Sequence, residues 1–219
     1  MTSTTPISIL IIDDHPLFRK GLADLIAMDE TLELVGQACS GEEGLERALE
    51  LSPSLILLDL NMKGMGGLAT LAALKKTDLE SYVVMLTVSD NEQDVTTALR
   101  SGADGYLLKD MEPEEVLSSI QRVASGRLVI TDSLTELLAQ ALREEGKPKT
   151  ANEAGLTPRE EEILNLIASG MSNKQVAREL DITEGTIKVH VKHFLKKLNL
   201  RTRLEAAVWS TQQARHNNH

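Results

Sequence analysis

The stretch LILLDLNMKGMGG, residues 55–67, decides how this chain is read. Leu55, Ile56, Leu57 and Leu58 form an uninterrupted apolar run, the pattern of a strand covered on both faces. A carboxylate, Asp59, stands where that run ends, and Gly64, Gly66 and Gly67 follow it. Burying an ionised carboxylate costs several kcal/mol unless a partner or solvent compensates. Asp59 is therefore either a cap for the next helix or a group kept for chemistry. The rest of the chain separates the two.

Outward from this run the same unit repeats. Strands are predicted at Ile7–Ile12, Leu32–Ala38, Leu55–Leu60, Tyr82–Val88 and Gly105–Leu108, rich in Ile, Leu and Val with little polar alternation. Between them lie helical spacings: Phe18, Leu22, Leu25 and Ile26, then Leu68, Leu71, Ala72 and Leu74, and later Val116, Ile120 and Val123. Strand–helix alternation of this kind predicts an α/β domain with a five-stranded, doubly wound parallel sheet. Ligands of such folds bind at the carboxyl ends of the strands.

Those ends carry the chemistry. The first strand runs into Asp13 and Asp14, the third into Asp59, the fourth into Thr87 and the fifth into Lys109. Three converging carboxylates repel one another and suit a hard divalent cation with oxygen ligands, Mg²⁺ above all. The Lys109 ammonium supplies a point charge for a phosphoryl oxygen, and the Thr87 hydroxyl supplies a hydrogen bond. The reaction that fits is phosphoryl transfer onto a carboxylate, making an aspartyl phosphate.

Two enzyme readings compete. Residues 64–69, GMGGLA, formally satisfy the dinucleotide fingerprint G-x-G-x-x-A, yet they follow the third strand, and Val83–Met85 stand where a ribose-binding acid belongs. A hydrolase with a nucleophilic Asp59 would want a second Asp two residues on as general acid, and Asn61 is there instead.

Charge divides the chain. Residues 1–127 hold 21 acidic and 10 basic side chains, residues 128–155 hold 5 and 3, and residues 156–219 hold 7 and 10. Only the last segment suits a polyanion. No apolar run reaches the ~18 residues of a membrane span, and MTSTTPIS lacks signal-peptide character. Cys39 stands alone, so no intrachain disulfide forms. The expected location is the reducing cytoplasm.

Three segments follow: a domain over 1–127, a joint over 128–155 and an all-helical domain over 156–219. In the joint, residues 133–142 read as a short amphipathic helix, and GKPKTANEAG (146–155) as a flexible tether. In the tail, Thr157 with Glu160, Ser172 with Gln175, and Thr202 with Glu205 have capping-box spacing, and Thr183 is a fourth N-cap. Gly170 and Asn199 are the stops. Val176–Leu180, a turn at Asp181–Thr183 and a longer helix from Glu184 make a helix-turn-helix.

Read face by face, the longer helix turns Ile187, Val191, Phe194, Leu195 and Leu198 inward. Gly185, Val189, Lys192, His193 and Lys196 lie opposite, with Lys188 at the edge. From Ile182 to Arg203 six basic residues face one acid. A solvated face would explain the charge but not Val189, an apolar residue at its centre that suits contact with thymine methyls in a major groove. Lys188 and Lys192 flank it within reach of guanine edges or phosphates, while Lys196, Arg201 and Arg203 better suit phosphate positioning. The lack of aromatic platforms argues against RNA.

The blocks IIDDHPLFRKGL, LILLDLNMKGM, LTVSD and GADGYLLKD resemble the receiver domain of two-component response regulators. LTPREEEIL, SNKQVARELDITEGTIKVHVKHFLKKL and the closing Leu204-Glu205-Ala206-Ala207 resemble the LuxR-type helix-turn-helix. Together they resemble the NarL/FixJ family, in particular its nitrate- and nitrite-responsive branch. The resemblance implies that Asp59 accepts phosphate from a membrane sensor histidine kinase. It implies Mg²⁺ held by Asp13, Asp14, Asp59 and the Asn61 backbone carbonyl. Thr87 would bond the phosphoryl group and move toward it, Lys109 would pair with it, and Tyr106 would change rotamer as the reporter of state. It further implies that the unmodified receiver covers the recognition helix. Once freed, the chain would bind double-stranded DNA as a homodimer, with Leu204, Ala207, Val208 and Trp209 in the seam. RNA polymerase is a further candidate partner, and no direct membrane association is expected. Lys63 replaces the Pro common after the Asn-Met pair, and the C-terminal TQQARHNNH carries no assigned role.

Overall fold

The computed structural model describes residues 6–88, 92–124, 150, 151 and 153–216. The chain forms two compact units, Met1–Ala124 and Ser125–His219. The helix expected over 133–142 lies outside the described residues, as do residues 146–149 and 152 of the expected tether and the last three of the C-terminal stretch.

The first unit alternates β1 (Ile7–Ile12), α1 (Pro16–Ala27), β2 (Leu32–Ala38), α2 (Gly41–Leu51), β3 (Leu55–Asp59), α3 (Gly67–Leu74), β4 (Tyr82–Thr87), α4 (Glu92–Arg100), β5 (Gly105–Leu108) and α5 (Pro113–Ala124). The five strands are parallel in the order β2-β1-β3-β4-β5. Ile9–Ile12 and Leu55–Leu58 are fully buried, as central strands covered on both faces require. Leu22 and Ile26 of α1, Leu71 and Leu74 of α3, and Val116, Ile120 and Val123 of α5 complete the aliphatic core.

Two strands stop one residue earlier than their apolar runs. β3 ends at Asp59 rather than Leu60, although the Leu60 N–H still donates to the Leu86 carbonyl at 2.9 Å. β4 ends at Thr87, and Val88 is 75% exposed. In both cases hydrophobicity outlasts the pairing, because the chain must turn to clear the sheet edge.

The turn after β3 also explains its glycines. A Cβ on Gly67, the first residue of α3, would overlap the Asp59 carbonyl oxygen and lie 2.7 Å from Leu60 Cα. Gly67 is there so that α3 can start against the end of β3, a packing need that happens to match a dinucleotide fingerprint. Gly67→Ala forces backbone apart and is expected to destabilise the first unit by about 1–3 kcal/mol, as overpacking does. Urea denaturation of the full chain checks this, and an unchanged midpoint would refute it.

The second unit is helical in its described residues: α6 (Pro158–Ala168), α7 (Asn173–Glu179), α8 (Glu184–Lys197) and α9 (Arg203–His216). Thr157 and Ser172 close full capping boxes with Glu160 and Gln175, and Thr183 accepts from the Thr186 N–H. At the third expected box Thr202 accepts from the Glu205 N–H, and Glu205 also accepts from the Arg201 N–H at 2.7 Å. Gly170, Asp181 and Asn199 take positive φ of 90°, 52° and 53°, which ends α6, α7 and α8. Ile163, Leu164, Ile167, Val176, Ile187, Phe194 and Leu198 form the core. Val191 and Leu195, expected inside, are half-buried.

Part of the expected tether is folded. The Ala154 N–H donates to the Thr150 carbonyl and the Leu156 N–H to that of Ala151, and the Lys197 ammonium donates to the Gly155 carbonyl at 3.0 Å. Lys197 also pairs with buried Glu160 at 2.7 Å. Burial alone would raise the Glu160 carboxyl, but Lys197 and the Thr157 N–H and hydroxyl outweigh it and hold the group below its ordinary range.

Among the described residues no helix is long and apolar enough to cross a membrane.

Candidate functional site

The sheet register brings the predicted groups to one edge. Asp13 follows β1 and its N–H donates to the Ala38 carbonyl at 3.1 Å; the Lys109 N–H, after β5, donates to the Thr87 carbonyl at 2.7 Å. The Lys109 ammonium then lies 2.8 Å from Asp13 Oδ2 and 3.0 Å from Asp59 Oδ2. All three side chains are nearly inaccessible, at 0%, 1% and 7% for Asp13, Asp59 and Lys109. Lys109 is also 4.6 Å from the centroid of the Phe18 ring, which confines the ammonium from the α1 side.

Asp14 is half-open at the mouth, and its Oδ2 accepts from the Lys63 N–H at 3.2 Å. A proline at residue 63 has no such N–H to give, so the departure noted in the sequence adds a bond to the pocket wall. The Asn61 N–H donates to Asp59 Oδ1 at 3.3 Å, and the Asn61 side chain is exposed. Thr87 and Tyr106 are buried, at 0% and 2% exposure.

Sequence reasoning missed His15. Its Nδ1 lies 2.9 Å from Asp14 Oδ1, 3.5 Å from Asp13 Oδ1 and 3.6 Å from Asp59 Oδ2. The signal was available, since His15 directly follows the two aspartates, but an adjacent residue has no fixed side-chain direction until the turn into α1 is known.

Asp13 Oδ2, Asp14 Oδ1 and Asp59 Oδ2 are buried and make no well-aligned hydrogen bond; the Lys109 and His15 contacts to them are ionic approaches. Buried carboxylate oxygens of three aspartates that face one another fit a hard cation with oxygen ligands.

The helical unit presents a second surface. Val189 is 52% exposed at the middle of α8, and Lys192, His193 and Lys196 are exposed around it, with Lys188 half-buried at the edge. Arg201 is exposed beyond the helix. Arg203, expected to position phosphates, has its guanidinium held by Asn173 Oδ1 at 2.7 Å and by the Met171 carbonyl. It braces α9 to the start of α7. Leu204, Ala207, Val208 and Trp209, expected at a dimer seam, are buried at 1–5% exposure and are taken up within the chain.

Comparison with known proteins matches both units. The response regulator receiver domain matches residues 9–121. The bacterial regulatory proteins of the luxR family match residues 154–210. The chain is 52% identical to the nitrate/nitrite response regulator protein NarL of Escherichia coli K12, over 97% of this chain and 99% of that one. It is 42% identical to the nitrate/nitrite response regulator protein NarP of the same strain, over 97% and 98%. The signal receiver domain of a NarL response regulator from Mycobacterium tuberculosis superposes with a TM-score of 0.55 at 33% identity, covering 57% of this chain and all of that domain. The response regulator ChrA of a heme-sensing two-component system covers 96% of this chain and 99% of its own, with a TM-score of 0.52 at 30% identity. These are transcription regulators rather than metabolic enzymes. A receiver with a clustered aspartate pocket, joined to a helix-turn-helix with a basic outer face, places this chain in the LuxR-type (NarL/FixJ) family of two-component response regulators, beside the nitrate/nitrite regulators.

Proposed function

We propose that this protein is a DNA-binding transcription regulator switched by phosphorylation of Asp59. The observation that carries this reading is the buried Lys109 ammonium, 2.8 Å from Asp13 and 3.0 Å from Asp59, in a pocket that Asp14 completes at the mouth. An Asp59 oxygen attacks the phosphorus of a kinase phosphohistidine. The P–O bond forms, the P–N bond breaks, and the histidine nitrogen keeps the electron pair and takes a proton from solvent. Water later attacks the phosphorus, the P–O bond to Asp59 breaks, and inorganic phosphate leaves with the carboxylate restored.

Asp13, Asp14, Asp59 and the Asn61 carbonyl are the proposed Mg²⁺ ligands. When bound, the cation neutralises carboxylate and phosphoryl charge. Lys109 shifts from its aspartate partners to a phosphoryl oxygen, Thr87 supplies a hydroxyl to the same group, and buried Tyr106 is the reporter. The identity to the nitrate/nitrite regulators supports a membrane nitrate or nitrite sensor as the kinase, anaerobic respiratory genes as targets, and a cytoplasmic location.

On the DNA side, α8 enters the major groove with Lys188, Val189 and Lys192 at the base edges and Lys196 and Arg201 on phosphates. Phosphorylation is proposed to free this face from the receiver and to promote pairing of two copies through α9. Pairing requires Leu204, Ala207, Val208 and Trp209 to become uncovered. RNA polymerase is the proposed downstream partner.

The test uses the full chain with acetyl phosphate and MgCl₂. One phosphoryl group is expected by intact mass on the wild type and none on Asp59→Asn, with DNA affinity rising only in the wild type. Labelling that survives Asp59→Asn, or DNA affinity indifferent to labelling, would overturn the reading.

A further inference from the structure

His15 occupies the N-cap position of α1, where Ser, Thr, Asp or Asn ordinarily satisfies a free helix N–H. The imidazole makes no cap bond, and the helix begins instead with Pro16. The His15 backbone N–H is fixed to Asp13 Oδ1 at 2.7 Å, and Nδ1 is turned toward the carboxylates at 2.9, 3.5 and 3.6 Å. Two ligands bound to one ion at ~2.1 Å lie ~3.0 Å apart at an octahedral angle and ~3.4 Å apart at a tetrahedral one. The imidazole thus stands from the oxygens of Asp13, Asp14 and Asp59 at about the spacing of a fellow ligand.

The pocket has two sides. Lys109 faces Asp13 Oδ2 and Asp59 Oδ2 from within, at 7% side-chain exposure. His15 faces Asp14 Oδ1 and Asp13 Oδ1 from the mouth, at 65%. Buried Asp59 Oδ2 is common to both approaches, 3.0 Å from Lys109 and 3.6 Å from His15.

We propose that His15 is a nitrogen ligand at the mouth of the aspartate pocket and gives it a preference for late first-row divalent cations, such as Co²⁺, over Mg²⁺. Carboxylates alone suit Mg²⁺, whereas an imidazole favours the later transition metals, whose affinities rise from Mn²⁺ through Co²⁺. This rests on the reading that the pocket holds a divalent cation, and it assigns a role that reading does not contain.

The experiment is metal binding to the full, unphosphorylated chain. Co²⁺ is followed by its visible absorption and Mg²⁺ by calorimetry. Pocket-bound Co²⁺ is taken as the fraction that Mg²⁺ displaces, which sets aside binding at His190 or His193. Wild type is expected to prefer Co²⁺ at least tenfold. His15→Ala should lose tenfold or more in Co²⁺ affinity and less than threefold in Mg²⁺ affinity. His15→Asn, which swaps the nitrogen donor for an amide oxygen, should behave like His15→Ala toward Co²⁺. Equal losses for both metals, or no loss for either, would overturn the role of His15 while leaving the cation pocket standing. Absence of any Mg²⁺-displaceable binding in the wild type would overturn both.

Discussion

Replacing Lys109 by Met is expected to destabilise the first unit by about 3 kcal/mol at neutral pH, the scale seen when one partner of a buried ion pair is removed. The ammonium is 7% exposed and lies within 3.0 Å of two carboxylates that are themselves at 0% and 1%. Met keeps most of the stem volume, so the loss is electrostatic: Asp13 and Asp59 are left facing one another and Asp14 without the one buried cation among the described residues of the pocket. Added MgCl₂ should recover stability more in Lys109→Met than in the wild type, since a ligand of the folded state stabilises in proportion to how well it binds. Urea denaturation with and without MgCl₂ measures both effects. A midpoint unchanged by the substitution would show that solvent screens the carboxylates.

Val189→Ala and Lys192→Ala are expected to weaken binding to a specific DNA site by about 1–3 kcal/mol each, the scale of a base contact. Lys196→Ala should weaken binding to all sequences alike and lower the salt slope by about 1. Val189 is 52% exposed and both lysines are exposed, so none of the three changes should alter the melting temperature. Fluorescence anisotropy of the phosphorylated chain on specific and unrelated duplexes, at several salt concentrations, separates the two classes. Equal losses on both duplexes for Val189→Ala would remove it from base readout.

Much of this was legible in the sequence because it depends on local pattern. Apolar runs fixed where β1, β2 and β5 lie, and side-chain chemistry at their ends picked out Asp13, Asp14, Asp59, Thr87 and Lys109. Hydroxyl N-caps, three of them at capping-box spacing to a Glu or Gln, placed the starts of the last four helices. What local pattern overstated was the free basic surface. Arg203 and Lys197 were counted toward a polyanion, yet one braces the start of α7 and the other is tied to Glu160 and Gly155. A charge count does not distinguish a side chain in water from one already bonded. The residues of α9 that the resemblance assigns to a seam between copies are buried within the single chain, which spacing alone does not reveal.

The stretch 55–67 shows the division most plainly. By itself it determined that a buried strand ends in a carboxylate and that a glycine-rich turn follows. It did not determine why Gly67 is a glycine or which cation answers Asp59, because both depend on atoms distant in sequence. Gly67 is required by the close approach of α3 to the Asp59 carbonyl, and Lys109 reaches Asp59 only because β5 lies beyond β4 in a parallel sheet. His15 became part of the pocket only when the turn before α1 set its direction. Residue type and spacing fix which groups a chain carries to a sheet edge; the packing of strands and helices fixes the distances at which those groups act.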